Sequence, residues 1–318
     1  MNDPLYARAE WLLAQAATGR GGTACLAGLE FVKELGRGGM GAVFLLRNVQ
    51  TGAFQALKLM LPGTHEGACE RTQHFLREIA NMQSLVHPNI VRLYSAGYLD
   101  DVIFFTLEYC PGGSVDRLMA MRGGVLDLQE ALSITLQTLA GLEYAHTAEI
   151  PNVPIPDGTY ATGRGLVHRD LKPHNIFLSG MEGNWTAKIG DYGLAKAFEL
   201  AGLSGVTRTG SASGTPYFMP RQQVVNFKYA KPEVDVWACA ASLYYMLTGE
   251  FPRDFSQGAN PWQIILQKAP VPIRSRSSII PERLAGVIDE ALSDTFTLRF
   301  RDAGELRRAL QNALEGEE

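Results

Sequence analysis

From Leu29 to Leu61 apolar residues alternate with polar ones, and the alternation breaks at "GRGGMG" (36–41) and "NVQTG" (48–52). A period of two sends successive side chains to opposite faces, so the stretch predicts three antiparallel strands joined by turns. The period turns helical at about 69–85, and two more strands end at "IFFTLEY" (103–109). Past "CPGGS" (110–114) strand signals become scarce. Asp127 and Glu130 form a capping box ahead of "ALSITLQTLAGLEYAH" (131–146), and further helices are predicted over 232–248, 260–268, 281–292 and 303–314. At the other end, residues 4–17 read as a short amphipathic helix with Asp3 as N-cap and Pro4 in its first position, set apart by the Gly-rich "TGRGGT" (18–23). The pattern is α+β: a small sheet-rich lobe, then a larger helical one, with no internal repeat.

Composition narrows the partners. With 46% hydrophobic and 19% charged residues, the 318-residue chain can bury a sizeable core. A formal net charge of −4 gives no basic footprint for nucleic acid or an anionic membrane surface. Cys25, Cys69, Cys110 and Cys239 are scattered without a C-x-x-C pair, which disfavours a zinc site and a disulfide framework and fits a reducing compartment. No run approaches the length of a membrane span, so a cytoplasmic location without a membrane segment is expected.

The candidate chemistry starts with "LGRGGMGAVF", in which Gly36, Gly38 and Gly41 lie between two predicted strands. Such a turn lets backbone N–H groups approach phosphate oxygens. Alone it also reads as a flexible hairpin, and "GRGG" recurs at 19–22 without a strand pattern. The second copy gains weight from "QALK" in the next strand, which places Lys58 where an ammonium meets phosphate. Glu78, in "FLREIANMQSL", is a candidate partner for Lys58; singly, each also reads as a solvated surface charge. In "GLVHRDLKPHNIFL" (165–178) a cluster of charges is flanked by apolar runs. Asp191 of "KIGDYGLA" follows Asp170 by 21 residues, and Asn175 follows it by five. Two carboxylates and a carboxamide suit a hard cation such as Mg2+, which shares its oxygen ligands with substrate phosphates.

In this order the motifs "GRGGMGAV", "QALK", "HPNIV", "LEYCPGGS", "HRDLKPHN", "DYG", "GTPYFMPR", "DVWACA" and "RFRDAGEL" make the chain resemble a protein kinase, and specifically the bacterial Ser/Thr kinases of eukaryotic (Hanks) type. The resemblance implies a bilobal fold. Residues 1–28 would be an N-terminal helix and linker, 29–107 an N-lobe with a five-stranded antiparallel sheet and one main helix, 108–113 the hinge, and 114–318 a mostly helical C-lobe.

It also implies roles. Gly36, Gly38 and Gly41 would cover the phosphates of ATP; Val43, Ala56 and Phe177 would sandwich adenine; backbone groups from Glu108 to Cys110 would bind its edge. Lys58, paired with Glu78, would orient the α- and β-phosphates. Asn175 and Asp191 would hold Mg2+, Asp170 would take the hydroxyl proton of a protein substrate, and Lys172 would offset charge on the phosphoryl group. His168 would pack in a column with Met82, Leu93 and Tyr192, and Asp235 would bond the loop from beneath. Thr207 and Thr209 resemble activation-loop phosphorylation sites, with Arg169 as a cation for the phosphate.

Four features depart from the family pattern. Tyr192 replaces the common Phe, Ala240 replaces a Gly, and residues 147–164 form a long insertion with the turn signal Asp157-Gly158. Arg221 stands where an acid is usual, facing the place of a buried arginine that Arg299 would fill. Two such charges cannot be left opposed, so Arg299 is expected to be neutralised by Asp294, or else by Glu233. A nucleotide-binding scaffold without transfer is the rival reading; Lys58, Glu78, Asp170, Asn175 and Asp191 standing together argue against it.

Overall fold

The structure is a computed structural model that describes residues 4–38, 41–60, 79, 81–100, 102–154, 160–192, 216–227, 230–255, 259–294 and 297–315. Strands β1 (Leu29–Gly38), β2 (Gly41–Asn48), β3 (Phe54–Met60), β4 (Leu93–Leu99) and β5 (Val102–Glu108) form one antiparallel sheet in the order β1-β2-β3-β5-β4. The alternation read from the sequence sorts its two faces. Ala42, Phe44 and Leu46 of β2, Leu57 and Leu59 of β3, and Val102 and Phe104 of β5 share one buried cluster. On the other face Val43 lies opposite Lys58, and Leu45 opposite Ala56. Met60, Ile103 and Phe105 pack there with Ile79 and Met82. The helix expected over 69–85 is described at residue 79 and over 81–85, of which 79 and 81–83 are helical and Ser84 and Leu85 are not.

The first face needs a cover, and the N-terminal segment supplies it. Helix α1 (Pro4–Ala14) turns Ala9 and Leu12, three residues apart and fully buried, onto the sheet cluster together with Leu26. The Gly-rich stretch read as a separator instead forms 3-10 turns, Gln15–Thr18 and Arg20–Leu26, the second of which packs against β4. Gly21 takes φ 58° there, and a side chain at that position would collide with the Tyr98 carbonyl.

Past Glu108 the chain becomes helical. The short β6 (Gly113–Ser114) leads to α2 (Val115–Met121) and α3 (Leu128–Ala145). Asp127 caps α3 by accepting the N–H groups of Gln129 and Glu130, both at 3.0 Å, while the Glu130 carboxylate lies 3.7 Å from Arg122. Helices α4 (Arg221–Val225), α5 (Glu233–Thr248), α6 (Pro261–Gln267), α7 (Glu282–Leu292) and α8 (Ala303–Glu315) complete this lobe, with α5 and α8 packed on α3. Helix α5 is apolar almost all round and almost wholly buried, Ala240 included. In the described part of the insertion at 147–164, β7 (Glu149–Pro154) pairs antiparallel with β8 (Tyr160–Arg164), and Ile150 is buried. Strands β9 (Ile176–Met181) and β10 (Asn184–Ile189) form a second hairpin, which joins β6 on one side and packs on α3.

The expectation for Arg299 is corrected. Its side chain is half-exposed and bonds Glu290 at 2.8 Å, neither Asp294 nor Glu233. Asp294 is buried and pairs with Arg253, which is equally buried. Arg221 does turn to other partners, donating its backbone N–H to Asp294 at 2.8 Å and its Nε–H to the Ile265 carbonyl at 3.4 Å. The loop after α5 delivers Arg253 to Asp294 from a distant part of the sequence, and desolvation favours the pair that both partners can bury.

Candidate active site

The second face of the sheet, which carries Lys58, faces the loop 166–175 and the β9–β10 hairpin across a candidate cleft that Lys58 bridges to Asp191. Asp235, at the start of α5, organises the loop. Its Oδ2 accepts the His168 N–H at 2.7 Å and lies 2.8 Å from His146 Nε2, and its Oδ1 accepts the Arg169 N–H at 2.8 Å. Burial would raise this carboxyl, but the hydrogen bond and charge of His146, with help from His168, outweigh it and hold Asp235 below the ordinary carboxylate range. The backbone so gripped includes Arg169 at φ 69°, a strained conformation for a residue with a side chain, and Gln223 of α4 donates to its carbonyl at 2.6 Å.

His168 is 1% exposed. Its Nδ1 accepts the Asp170 N–H at 3.2 Å, so the proton sits on Nε2 and is donated to the Gly190 carbonyl at 2.9 Å. The ring meets Tyr192 edge-on at 4.9 Å. Of the expected column, Met82 and Leu93 lie in the cluster beneath the sheet and Tyr192 in the helical-lobe core, with Leu166 packed against both. The Tyr192 hydroxyl finds its partner in the Leu166 carbonyl, 3.2 Å away.

Asp170 is held from two sides. Lys172 Nζ lies 2.9 and 3.1 Å from its carboxylate oxygens, and the Asn175 amide donates to its carbonyl at 2.7 Å and to Oδ2 at 3.2 Å. That use of its nitrogen leaves the Asn175 carboxamide oxygen as the atom available to a cation. Across the cleft Lys58 Nζ bonds Asp191 Oδ1 at 2.7 Å. Burial would raise the Asp191 carboxyl; the Lys58 ammonium, by charge and hydrogen bond, with Lys172 behind it, holds it below its usual value. Asp191 has φ 52°, a second strained residue in the same site. Glu78, the expected partner of Lys58, lies outside the described residues, as do Thr207 and Thr209.

The other candidates border this centre. Val43, Ala56 and Lys58 share one sheet face. A side chain at Gly36 or Gly38 would meet nothing within 4 Å among the described residues, whereas one at Gly41 would run into the Leu59 carbonyl. The Glu108 carboxylate is tied to Lys188 Nζ at 3.1 Å, which leaves the backbone as what this segment offers a ligand. Cys110 is buried, its thiol pushed up to about 12 by burial and then by Glu108, so it stays protonated at neutral pH. Phe177 is half-buried, while its neighbours Ile176 and Leu178 point into the core. Among the described residues no three His, Cys, Asp or Glu side chains converge to hold a metal. A cation here would therefore need one carboxylate, one carboxamide and oxygens from a substrate, a set that suits Mg2+.

This geometry agrees with what the chain is similar to. The profile described as the protein kinase domain matches residues 29–300. The chain belongs to the protein kinase family. Among curated relatives, CBL-interacting protein kinase 21 of rice is 30% identical over 75% of this chain and 41% of its own length. Serine/threonine-protein kinase PknJ of Mycobacterium tuberculosis is 28% identical over 91% of this chain and 46% of its own. PrkC of Bacillus subtilis is 28% identical over 91% and 41%. The kinase therefore spans less than half the length of these relatives. The solved kinase domain of M. tuberculosis PknI superposes with a TM-score of 0.64 at 23% identity, covering 91% of this chain and 96% of that one, and supports the bilobal fold.

Sequence reasoning missed several residues of the site. His146, Gln223 and Lys188 act through contacts with residues far along the chain, and nothing local marks them. Gly190 had a signal: a glycine directly before the candidate metal ligand Asp191.

Proposed function

We propose that this kinase domain transfers the γ-phosphoryl group of ATP to Ser and Thr hydroxyls of proteins, its own activation segment included, with Mg2+ as the resident cation. The observation that carries this reading is the Asp170 carboxylate, oriented by Lys172 and Asn175 on a backbone locked by Asp235, across the cleft from the Lys58–Asp191 pair. Phosphoryl transfer depends mainly on positioning and preorganised charge, and these contacts supply both. Asp170 would accept the proton of the attacking hydroxyl as its oxygen bonds to the γ-phosphorus and the bond to the β–γ bridging oxygen breaks, releasing ADP. Lys172 would shift its charge toward the moving phosphoryl group, and Lys58 would meet the α- and β-phosphates. Gly36, Gly38 and Gly41 would cover the phosphates. Val43 and Ala56 above and Phe177 below would enclose adenine, whose edge would meet the backbone from Glu108 to Cys110.

Asp191 and the Asn175 carboxamide oxygen would hold Mg2+, which when bound neutralises charge developing on the phosphate oxygens. Thr207 and Thr209 are the proposed sites of self-phosphorylation. In support, the Arg169 Nε is buried and has no hydrogen-bond partner among the described residues, which suits a cation awaiting a phosphate.

The test is incubation with labelled ATP and Mg2+, followed by mapping of phosphosites by mass spectrometry. Asp170→Asn should bind nucleotide normally while transfer falls by about 10^2- to 10^4-fold, the usual contribution of a general base. Undiminished transfer by that variant removes Asp170 from the role, and a parent protein that binds nucleotide without transfer is the scaffold instead.

A further inference from the structure

Phe177 and Gly190 touch in a way that leaves no room for a larger residue at 190. A Cβ built there would lie 2.4 Å from Phe177 Cε2 and 2.6 Å from Cδ2, with Val91 Cγ2 next at 3.6 Å. Real contacts of that kind are never so short, so the ring is seated in the space that a side chain on Gly190 would fill. The backbone at 190 cannot easily withdraw. Its N–H donates to the Asn175 carbonyl at 2.8 Å, and its carbonyl accepts from His168 at 2.9 Å.

The ring's place follows from register. Phe177 pairs with Ser114 of β6 on one side and with Lys188 of β10 on the other. Residues paired across a ladder share a face, and Lys188 spends its ammonium on Glu108 and on the Pro88 carbonyl. Phe177 therefore lies on the hairpin face from which Lys188 reaches Glu108, with its ring against Gly190, the residue before Asp191.

We propose that Phe177 and Gly190 form a size-matched pair that sets the depth of the nucleotide cavity: the missing side chain at 190 lets an aromatic ring form the floor on which the base stacks. The inference rests on the phosphotransfer reading for the identity of the ligand. A methyl added at 190 must push the ring up into the space of the base, and the cost then appears as lost nucleotide affinity. With a smaller residue at 177 the same methyl has room.

The experiment measures ADP binding by calorimetry in the presence of Mg2+, with a thermal melt as a check on folding, for the parent, Gly190→Ala, Phe177→Leu and the double variant. Gly190→Ala should weaken ADP binding by about tenfold or more, within the range that overpacking by one methyl commonly costs. Phe177→Leu alone should weaken it by about fivefold, from lost aromatic stacking. In the Phe177→Leu background the alanine should cost less than about twofold, the non-additivity expected of contacting residues. Equal losses in both backgrounds, or a Gly190→Ala protein that melts lower yet binds ADP as the parent does, would overturn the pairing. If Gly190→Ala does not fold, the double variant decides: folding and binding ADP like Phe177→Leu upholds the pair, and failing to do so sinks it. A parent that binds no ADP overturns the phosphotransfer reading as well; a parent that binds ADP without the coupling overturns this inference alone.

Discussion

The buried pair Arg253–Asp294 should be the most sensitive charged contact in the helical lobe, and Asp294→Asn is the cleanest way to break it. Both side chains are 1% exposed. Arg253 also donates to the Lys268 carbonyl at 3.0 Å and to the Met219 carbonyl at 3.2 Å, and its guanidinium lies 4.9 Å from the centre of the Trp237 ring. Burial, opposed by Asp294, leaves Arg253 below its ordinary pKa, so its charge already carries a desolvation cost. Removing one partner from such a pair costs about 3–5 kcal/mol, because the other charge is stranded. Asparagine keeps an oxygen that can accept from Arg253 or from the Arg221 N–H, and the two carbonyls stay, so the lower figure of about 3 kcal/mol applies. For a chain of this length the unfolding entropy translates that into a fall in Tm of about 4–5 °C. Differential scanning calorimetry reads it directly. The double variant Arg253→Met with Asp294→Leu strands no charge but removes the partners of the Arg221 N–H and of the Lys268 and Met219 carbonyls, so it should recover part of the loss and not all of it. Arg299→Ala, which breaks only an exposed pair, should melt within about 1 °C of the parent. An Asp294→Asn protein as stable as the parent, or an Arg299→Ala protein equally damaged, would refute the assignment of the anchor to Arg253.

Two further outcomes follow from other contacts. Leu12→Ala, at a fully buried position between α1 and the sheet, should cost about 2–5 kcal/mol and lower Tm by several degrees, where a residue of a loose N-terminal linker would change nothing in the same melt. Asp235 has a carboxyl lowered in the folded protein, so its stabilisation is fully present above the unfolded carboxylate value of about 4 and is lost as pH falls through the lower folded value. The Tm gap between the parent and Asp235→Asn should therefore narrow as pH falls below about 4; a gap that widens there contradicts the sign.

Much of the site was legible because its signals are local. Alternation alone placed Val43, Ala56 and Lys58 on one face of the sheet, and the spacing within "HRDLKPHN" brought Asp170, Lys172 and Asn175 within hydrogen-bond reach of one another. What the sequence hid depends on which distant surface covers which. The short helix at 4–14 has the pattern of many surface helices, and only the otherwise bare cluster of Phe44, Leu46, Leu57 and Phe104 explains why Ala9 and Leu12 are buried. Long cations were the hardest to pair, since a guanidinium can reach several carboxylates at little conformational cost. Proximity in sequence favoured Arg299 for Asp294, but proximity does not decide the matter. A carboxylate that is 1% exposed requires a cation able to bury with it, whereas Glu290, whose side chain is 49% exposed, asks for almost nothing and gains almost nothing. Arg253, inserted between the Trp237 ring and two backbone carbonyls, has its remaining donors satisfied inside the protein, and Arg299, lying on the surface over Phe300, does not need to be. The cation whose desolvation is already compensated takes the buried acid, and the exposed one takes the exposed acid.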